Sequence, residues 1–310
     1  MVNYHFFPAL VLCVKRCERQ CRLILIWFYI TLIIFTPVNY AAPPVIRFAP
    51  LIQENQSIAI EQFKDFVNYL SQALSVRIEW VFLTDYAAIL DEFQHGNIDL
   101  AYLGPLPYTL LKRTYTAAQP LACVADADGM ATLRCALVGF NGEPPATVHD
   151  IVNMHIALTQ PHSTCGYLNA AQILTAAGRD INGDGNWFSY AGSHSIAALG
   201  VVAGDYAVAS IKMSIAQRYA HLNLKILAIS PPYPGFSLVV NTATVNKSLQ
   251  IALQQALLSL TPIQKPELMQ WGLPLRYGLL PPEQCGDYTQ IDNALKLIPW
   301  PLPADVINTK

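Results

Sequence analysis

A chain of 310 residues that is 53% hydrophobic and only 13% charged holds enough apolar material for two domains or one large α/β unit. Its formal net charge is -2, and its Lys and Arg residues form no cluster beyond the N-terminal leader. That balance argues against a polyanion surface, so nucleic acid is not an expected partner.

The first recognisable element is "LILIWFYITLIIFT" (23–36), which follows Arg19 and Arg22 and precedes "PVNYAAPP". This run is short for a membrane span and suits the apolar region of a secretory signal. Cleavage is expected after Ala41, which makes residues 1–41 a signal peptide with an N-terminal extension; an uncleaved anchor is the other reading. The mature protein is then expected to be exported. It would carry Cys123, Cys135, Cys165 and Cys285 into an oxidising compartment where disulfides form.

"VIRFAPL" (45–51) has the composition of a buried strand. Residues 61–74 place Phe63, Phe66, Val67, Leu70 and Leu74 on one helical face. "VRIEWVFL" alternates as a strand does, and Thr84 or Asp85 can cap a helix from Tyr86 to about Phe93. "NIDLAYLG" is a strand, after which Pro105 fits the first turn of a helix. "LACVADADGMATLRCALVGF" reads as two strands around a turn near Gly129. Cys123 and Cys135 lie symmetrically about that turn, so they form either a hairpin-bridging disulfide or two buried free thiols.

"MHIALT" (154–159) is a strand leading into "QPHSTCGYLNAAQIL" (160–174), and "NWFSYAGSH" (186–194) is a strand ending at another helix start. "DYAVASI" and "LKILAIS" are further strands before "PPYPGFSLVVN" breaks the pattern with three prolines and a glycine. Strands alternating with helices predict parallel pairing with right-handed crossovers. Crossings near residues 137–142 and 231–236 would divide the chain into lobe 1 (42–139 plus 235–310) and lobe 2 (140–234).

In such sheets ligands bind beyond the carboxyl ends of strands, where helices begin. The turns "TDYAA", "YLGPLPY", "QPHSTCGY" and "AGSHS" stand there. Helix starts offer unpaired N–H groups and a partial positive charge. With the hydroxyls of Tyr86, Ser163 and Thr164, and with His194, they compose an anion site that needs no Arg or Lys, and Gly166 would let a ligand approach the backbone. Taken singly, each Ser or Thr also reads as a cap, and His194 as a core or surface histidine.

Other chemistries fit less well. The mature chain has no CxxC pair for zinc. "DINGDG" starts like a calcium loop, but Ala191 stands where the bidentate Glu belongs. A Cys165–His194 nucleophile pair lacks a placed orienting carboxylate, and neither a Gly-x-Ser-x-Gly elbow nor a P-loop occurs. No metal, no cofactor and no enzymatic activity are expected.

"STCGYLNAAQIL" followed by "GSHSIAALGVVAGDYAVA" resembles the signature of the phosphate/phosphite/phosphonate-binding (PhnD-like) periplasmic receptors of ABC transporters. "TDYAAILDEFQHGNIDLAYLGPLPY", "SPPYPGFSLVV" and "WGLPLRYGLLPPEQCGDYTQIDNAL" resemble further blocks of that family in the same order, so the likeness covers about residues 45 to 297. The resemblance implies a type II periplasmic-binding-protein fold, with two hinged lobes, each a mainly parallel sheet flanked by helices. It implies a monomeric receptor that closes on a small oxyanion and passes it to an ABC transporter permease. A sensing module that reports a different oxyanion to a signalling partner is the alternative.

By the resemblance, the ligand-contacting positions are Tyr86, Ser163, Thr164, Cys165 and His194, with Tyr102 lining the pocket. Cys165 stands where the family usually has Ser, which exchanges a strong donor for a weak one. A helix start would lower its pKa, and a thiolate would repel a phosphonate. Members that recognise aminoalkyl phosphonates carry acidic residues where this chain has Lys212 and Phe236, so a zwitterionic aminophosphonate is not expected.

Overall fold

The computed structural model describes residues 42–51 and 56–298; the expected signal segment lies outside them. Among the described residues no helix is long and apolar enough to cross a membrane.

The chain from Pro44 onward forms one compact unit built on two main sheets. Strand β1 (Val45–Ala49) leads to helix α1 (Gln56–Leu74), whose Phe63, Phe66, Val67 and Leu70 are buried as the periodicity predicts. Phe48 on β1 packs edge-on against Phe63 and tilted against Phe66, at 5.6 and 5.5 Å between ring centroids. Next come β2 (Arg77–Trp80), α2 (Tyr86–Gln94), β3 (Leu100–Leu103), α3 (Pro105–Thr114) and β4 (Ala118–Val124). Asp85, not Thr84, caps α2 by accepting from the Ala88 N–H at 2.9 Å. Pro105 opens α3, as expected.

The second sheet takes β6 (Cys135–Phe140), β7 (His155–Leu158), β8 (Trp187–Tyr190), β9 (Val208–Lys212) and β10 (Leu224–Ile229). Its helices are α4 (Asn169–Ala176), α5 (His194–Ala203) and the short α6 (Met213–Arg218). The chain then returns to the first sheet through β12 (Ser237–Asn241), α7 (Lys247–Leu258), β13 (Leu279–Leu280) and α8 (Thr289–Leu297). Sheet orders are β13-β4-β12-β3-β1-β2 and β10-β6-β9-β7-β8. In each sheet the βα repeats pair in parallel, β1 with β2 and β3, β7 with β8 and β9. Strands next to the crossings pair antiparallel, β12 with β3 and β4, β6 with β9 and β10.

The first crossing corrects two expectations. Strands β4 and β6 belong to different sheets, so the stretch around Gly129 is a connection between lobes and not a hairpin turn. The expected boundary at 139/140 accordingly falls inside β6, five of whose six residues are buried in the second sheet. The chain leaves the second sheet after β10 and re-enters the first at β12. Between them β11 (Tyr233–Pro234) pairs antiparallel with β5 (Thr132–Leu133) of the first crossing, forming a two-stranded ribbon.

Because β4 and β6 diverge, Cys123 and Cys135 do not meet. Cys123 is bonded to Cys285, which follows β13, and Cys135 is bonded to Cys165 at the turn before α4. The Cys123–Cys135 pairing is therefore wrong, and so is the picture of Cys165 as a free thiol.

Candidate functional site

The parallel strands of both sheets end at one cleft, and nearly every singled-out residue follows a strand terminus. Between β7 and α4 lies one turn of π-helix, Thr164–Leu168, with Ser163 at its N-cap. Ser163 is buried, yet its hydroxyl makes no capping hydrogen bond, so the plain cap reading fails for it. Gly166 admits close packing rather than a ligand. A Cβ there would stand 3.0 Å from Thr159 Oγ1 and 3.1 Å from the Gln160 carbonyl.

Thr164 Oγ1 faces the other lobe and accepts from the Leu106 N–H at 3.1 Å. It thereby satisfies a first-turn donor of α3, whose N-cap Gly104 has no side chain to do so. Cys165 contributes no side-chain donor, because its sulfur is bonded to Cys135. Its carbonyl instead accepts from Ser210 Oγ at 2.7 Å, and Ser210 Oγ accepts from Asn169 Nδ2 at 2.9 Å.

His194 is the first residue of α5, and Ser193 caps that helix by accepting from the Ile196 N–H at 3.1 Å. The Lys212 backbone N–H donates to His194 Nδ1 at 3.1 Å. An accepting Nδ1 leaves the proton of the neutral ring on Nε2. Burial, and next the positive charge of Lys212, push the imidazole down to about 3, so at neutral pH it is an uncharged N–H donor.

Tyr86, Ser163, Ser193, His194 and Thr159 line a compartment of about 10 Å³, the room of one water-sized group. Thr159 is 2% exposed, and its Oγ1 has no hydrogen-bond partner. Burial pushes the Tyr86 hydroxyl up, which keeps it protonated and able to donate.

A larger cavity of about 320 Å³ adjoins it and shares Ser193 and His194. Tyr102 lines this cavity and not the small one, stacked on Phe236 at 4.8 Å between centroids and 11° between planes. Gln62 and Asp126 from the first lobe and Lys212 and Arg218 from the second also line it. Lys212 Nζ lies 5.7 Å from the Phe236 ring centroid.

The structure thus brings Tyr86, Ser163 and His194 together and sets Tyr102 one compartment away. It gives Thr164 to an interlobe contact and Cys165 to a disulfide. Sequence reading missed Thr159, Asp126 and Arg218. Only Thr159 had a signal, as a polar residue closing the strand ahead of the Ser163 turn.

Two lobes whose strand ends deliver donors from opposite sides to a common cleft define a solute-binding protein of the hinged type. The chain belongs to the family of phosphonate periplasmic substrate-binding proteins of ABC transporters, whose model matches residues 48–273. It is 26% identical over 176 residues to the phosphate-import protein PhnD of Mycolicibacterium smegmatis, an alignment spanning 53% of this chain and 53% of that protein. It is similar to PhnD1 of Prochlorococcus marinus, solved with methylphosphonate, at a TM-score of 0.69 and 19% identity, covering 83% of this chain and 100% of that one. A binding protein of a phosphonate ABC transporter from Pseudomonas aeruginosa is similar at a TM-score of 0.67 and 19% identity, covering 81% and 85%.

Proposed function

We propose that this chain is an exported receptor that holds a small oxyanion of the phosphate, phosphite or phosphonate type between its lobes and delivers it to an ABC transporter. The observation that carries this reading is the small compartment. A fully buried Thr159 hydroxyl without a partner, an uncapping Ser163 and an uncharged His194 Nε2–H converge on the room of one ligand oxygen. An unpaired buried donor costs about 1–3 kcal/mol, and an anion that accepts from it recovers that cost. Neutral donors also count oxygens, so they favour a tetrahedral oxyanion over a halide.

The protein works as a binder and not a catalyst in this reading. Cys165, the candidate nucleophile, is held in a disulfide and cannot attack. Monomeric action suits a receptor that must present both lobes to its permease.

Calorimetric titration with phosphate, phosphite, methylphosphonate and sulfate tests the reading. At least one phosphorus oxyanion should bind, and Ser163→Ala should weaken it by roughly five- to hundredfold without lowering the melting temperature appreciably. Binding of none of them, or an unchanged affinity in Ser163→Ala, refutes it.

A further inference from the structure

The two compartments meet at Ser193 and His194. A head group seated on His194 Nε2–H would therefore send its substituent into the larger cavity. At about 320 Å³ that cavity is far larger than a methyl group needs, so bare phosphate or methylphosphonate would leave most of it to water.

Its charged lining has a definite sign. Lys212 and Arg218 face Asp126, two cations against one carboxylate. Among the described residues neither cation has a carboxylate oxygen within ion-pairing distance; the pairs found all lie elsewhere. Lys212 Nζ rests over the Phe236 ring, and the Asp126 carboxylate is engaged by the Ala127 N–H at 2.8 Å. Asp126 acts on Lys212 through space but not in direct contact, so the lining keeps one positive charge in excess, which a bound carboxylate would offset. The Tyr102–Phe236 stack gives a flat apolar wall for a short carbon arm between the two ends.

We propose that the cleft is built for a phosphorus oxyanion bearing a second acidic group on a short arm, with the head in the small compartment and the carboxylate between Lys212 and Arg218. The shared chemistry is an anion at both ends, whether the arm is joined by a C–P bond or through an ester oxygen. This rests on the receptor reading above and adds the identity of the tail. An ammonium tail meets Lys212 and is rejected.

The test is calorimetry on the purified protein with methylphosphonate, phosphonoacetate, 3-phosphonopropionate, phosphoglycolate and 2-aminoethylphosphonate. At least one carboxylate-bearing ligand should bind roughly tenfold or more tighter than methylphosphonate, with 2-aminoethylphosphonate the weakest. Phosphonoacetate against phosphoglycolate separates the C–P from the ester linkage. Lys212→Met and Arg218→Gln should each remove most of the carboxylate preference, read as the ratio of the affinity for the best carboxylate-bearing ligand to that for methylphosphonate in the same variant, and Lys212→Arg should retain it. Methylphosphonate binding as tightly as every carboxylate-bearing ligand overturns this proposal alone. So does an equal loss for all ligands in both variants, which would make the cations partners of the head. If no phosphorus oxyanion binds at all, the receptor reading falls with it.

Discussion

His194→Asn puts the neutral-histidine argument to a quantitative test. In the native protein Nδ1 accepts from the Lys212 N–H, and burial holds the ring at about 3. An unfolded histidine titrates near 6.5. Between those two values the unfolded chain binds the extra proton and the native chain does not, so this group makes stability fall as pH drops below 6.5. Integrating the two titrations, the cost is about 0.2 kcal/mol at pH 7 and about 2 kcal/mol at pH 5. Asparagine keeps an acceptor for the Lys212 N–H and does not titrate. The assay is urea denaturation of both proteins, without ligand, at pH 7 and pH 5. Between those values the native protein should lose about 2 kcal/mol more than His194→Asn, whatever the absolute stability of the variant. The other titrating groups cancel in the comparison. Parallel losses in the two proteins would refute the assignment of His194 as a half-buried, neutral donor.

Two further outcomes follow from crosslinks and charge. The Asp99 carboxylate accepts two bonds from the Arg47 guanidinium, at 2.8 and 2.7 Å, one from the Arg47 N–H and one from Thr244. Burial alone would raise its pKa, but the bonds from Arg47 and Thr244 together outweigh burial and hold the carboxyl below its usual range. Asp99→Asn should therefore cost about 3 kcal/mol in denaturant titration at neutral pH. The gap to native should close as acid protonates Asp99, since a lowered carboxyl stabilises only above its folded pKa; a gap that widens in acid refutes it. Cys135→Ser/Cys165→Ser opens a crosslink of sequence separation 30, worth roughly 3–4 kcal/mol by loop entropy. It should also weaken oxyanion binding, because Cys165 follows Ser163 and Thr164 in the π-turn. Unchanged stability by urea titration would sink the first part, and unchanged affinity by calorimetry the second.

The alternation of strands and helices, the Asp85/Tyr86 helix start and the position of Pro105 were legible because each depends on local chemistry: side-chain period, capping and proline's fixed φ. The antiparallel pairing of β6 was not. Its run "CALVGF" is apolar throughout, which marks burial and leaves the partner strand undetermined. Reading that run as half of a hairpin made Cys123–Cys135 look natural, and the divergence of β4 and β6 undid both inferences together. At the site, residue types pointed to Tyr86, Ser163 and His194, because donors at strand ends are few. The tautomer of His194 depends on a backbone N–H eighteen positions away, a relation that composition and spacing do not encode. Arg218 enters the cavity from a short helix whose sequence carries no ligand signal.

The two disulfides fall on the same side of a division. Cys123–Cys285 joins strand β4 of one sheet to the segment beyond β13, and Cys135–Cys165 joins β6 to the turn beyond β7 in the other. Neither ties the first sheet to the second. Oxidation thus stiffens each half against its own fluctuations and leaves the movement of one half against the other under noncovalent control. At the Ser163 turn one contact between the halves is the Thr164 hydroxyl accepting from the Leu106 N–H. A bond of that size, about 1 kcal/mol net, is within reach of what a ligand's own contacts supply, so a guest that enters or leaves can exchange it.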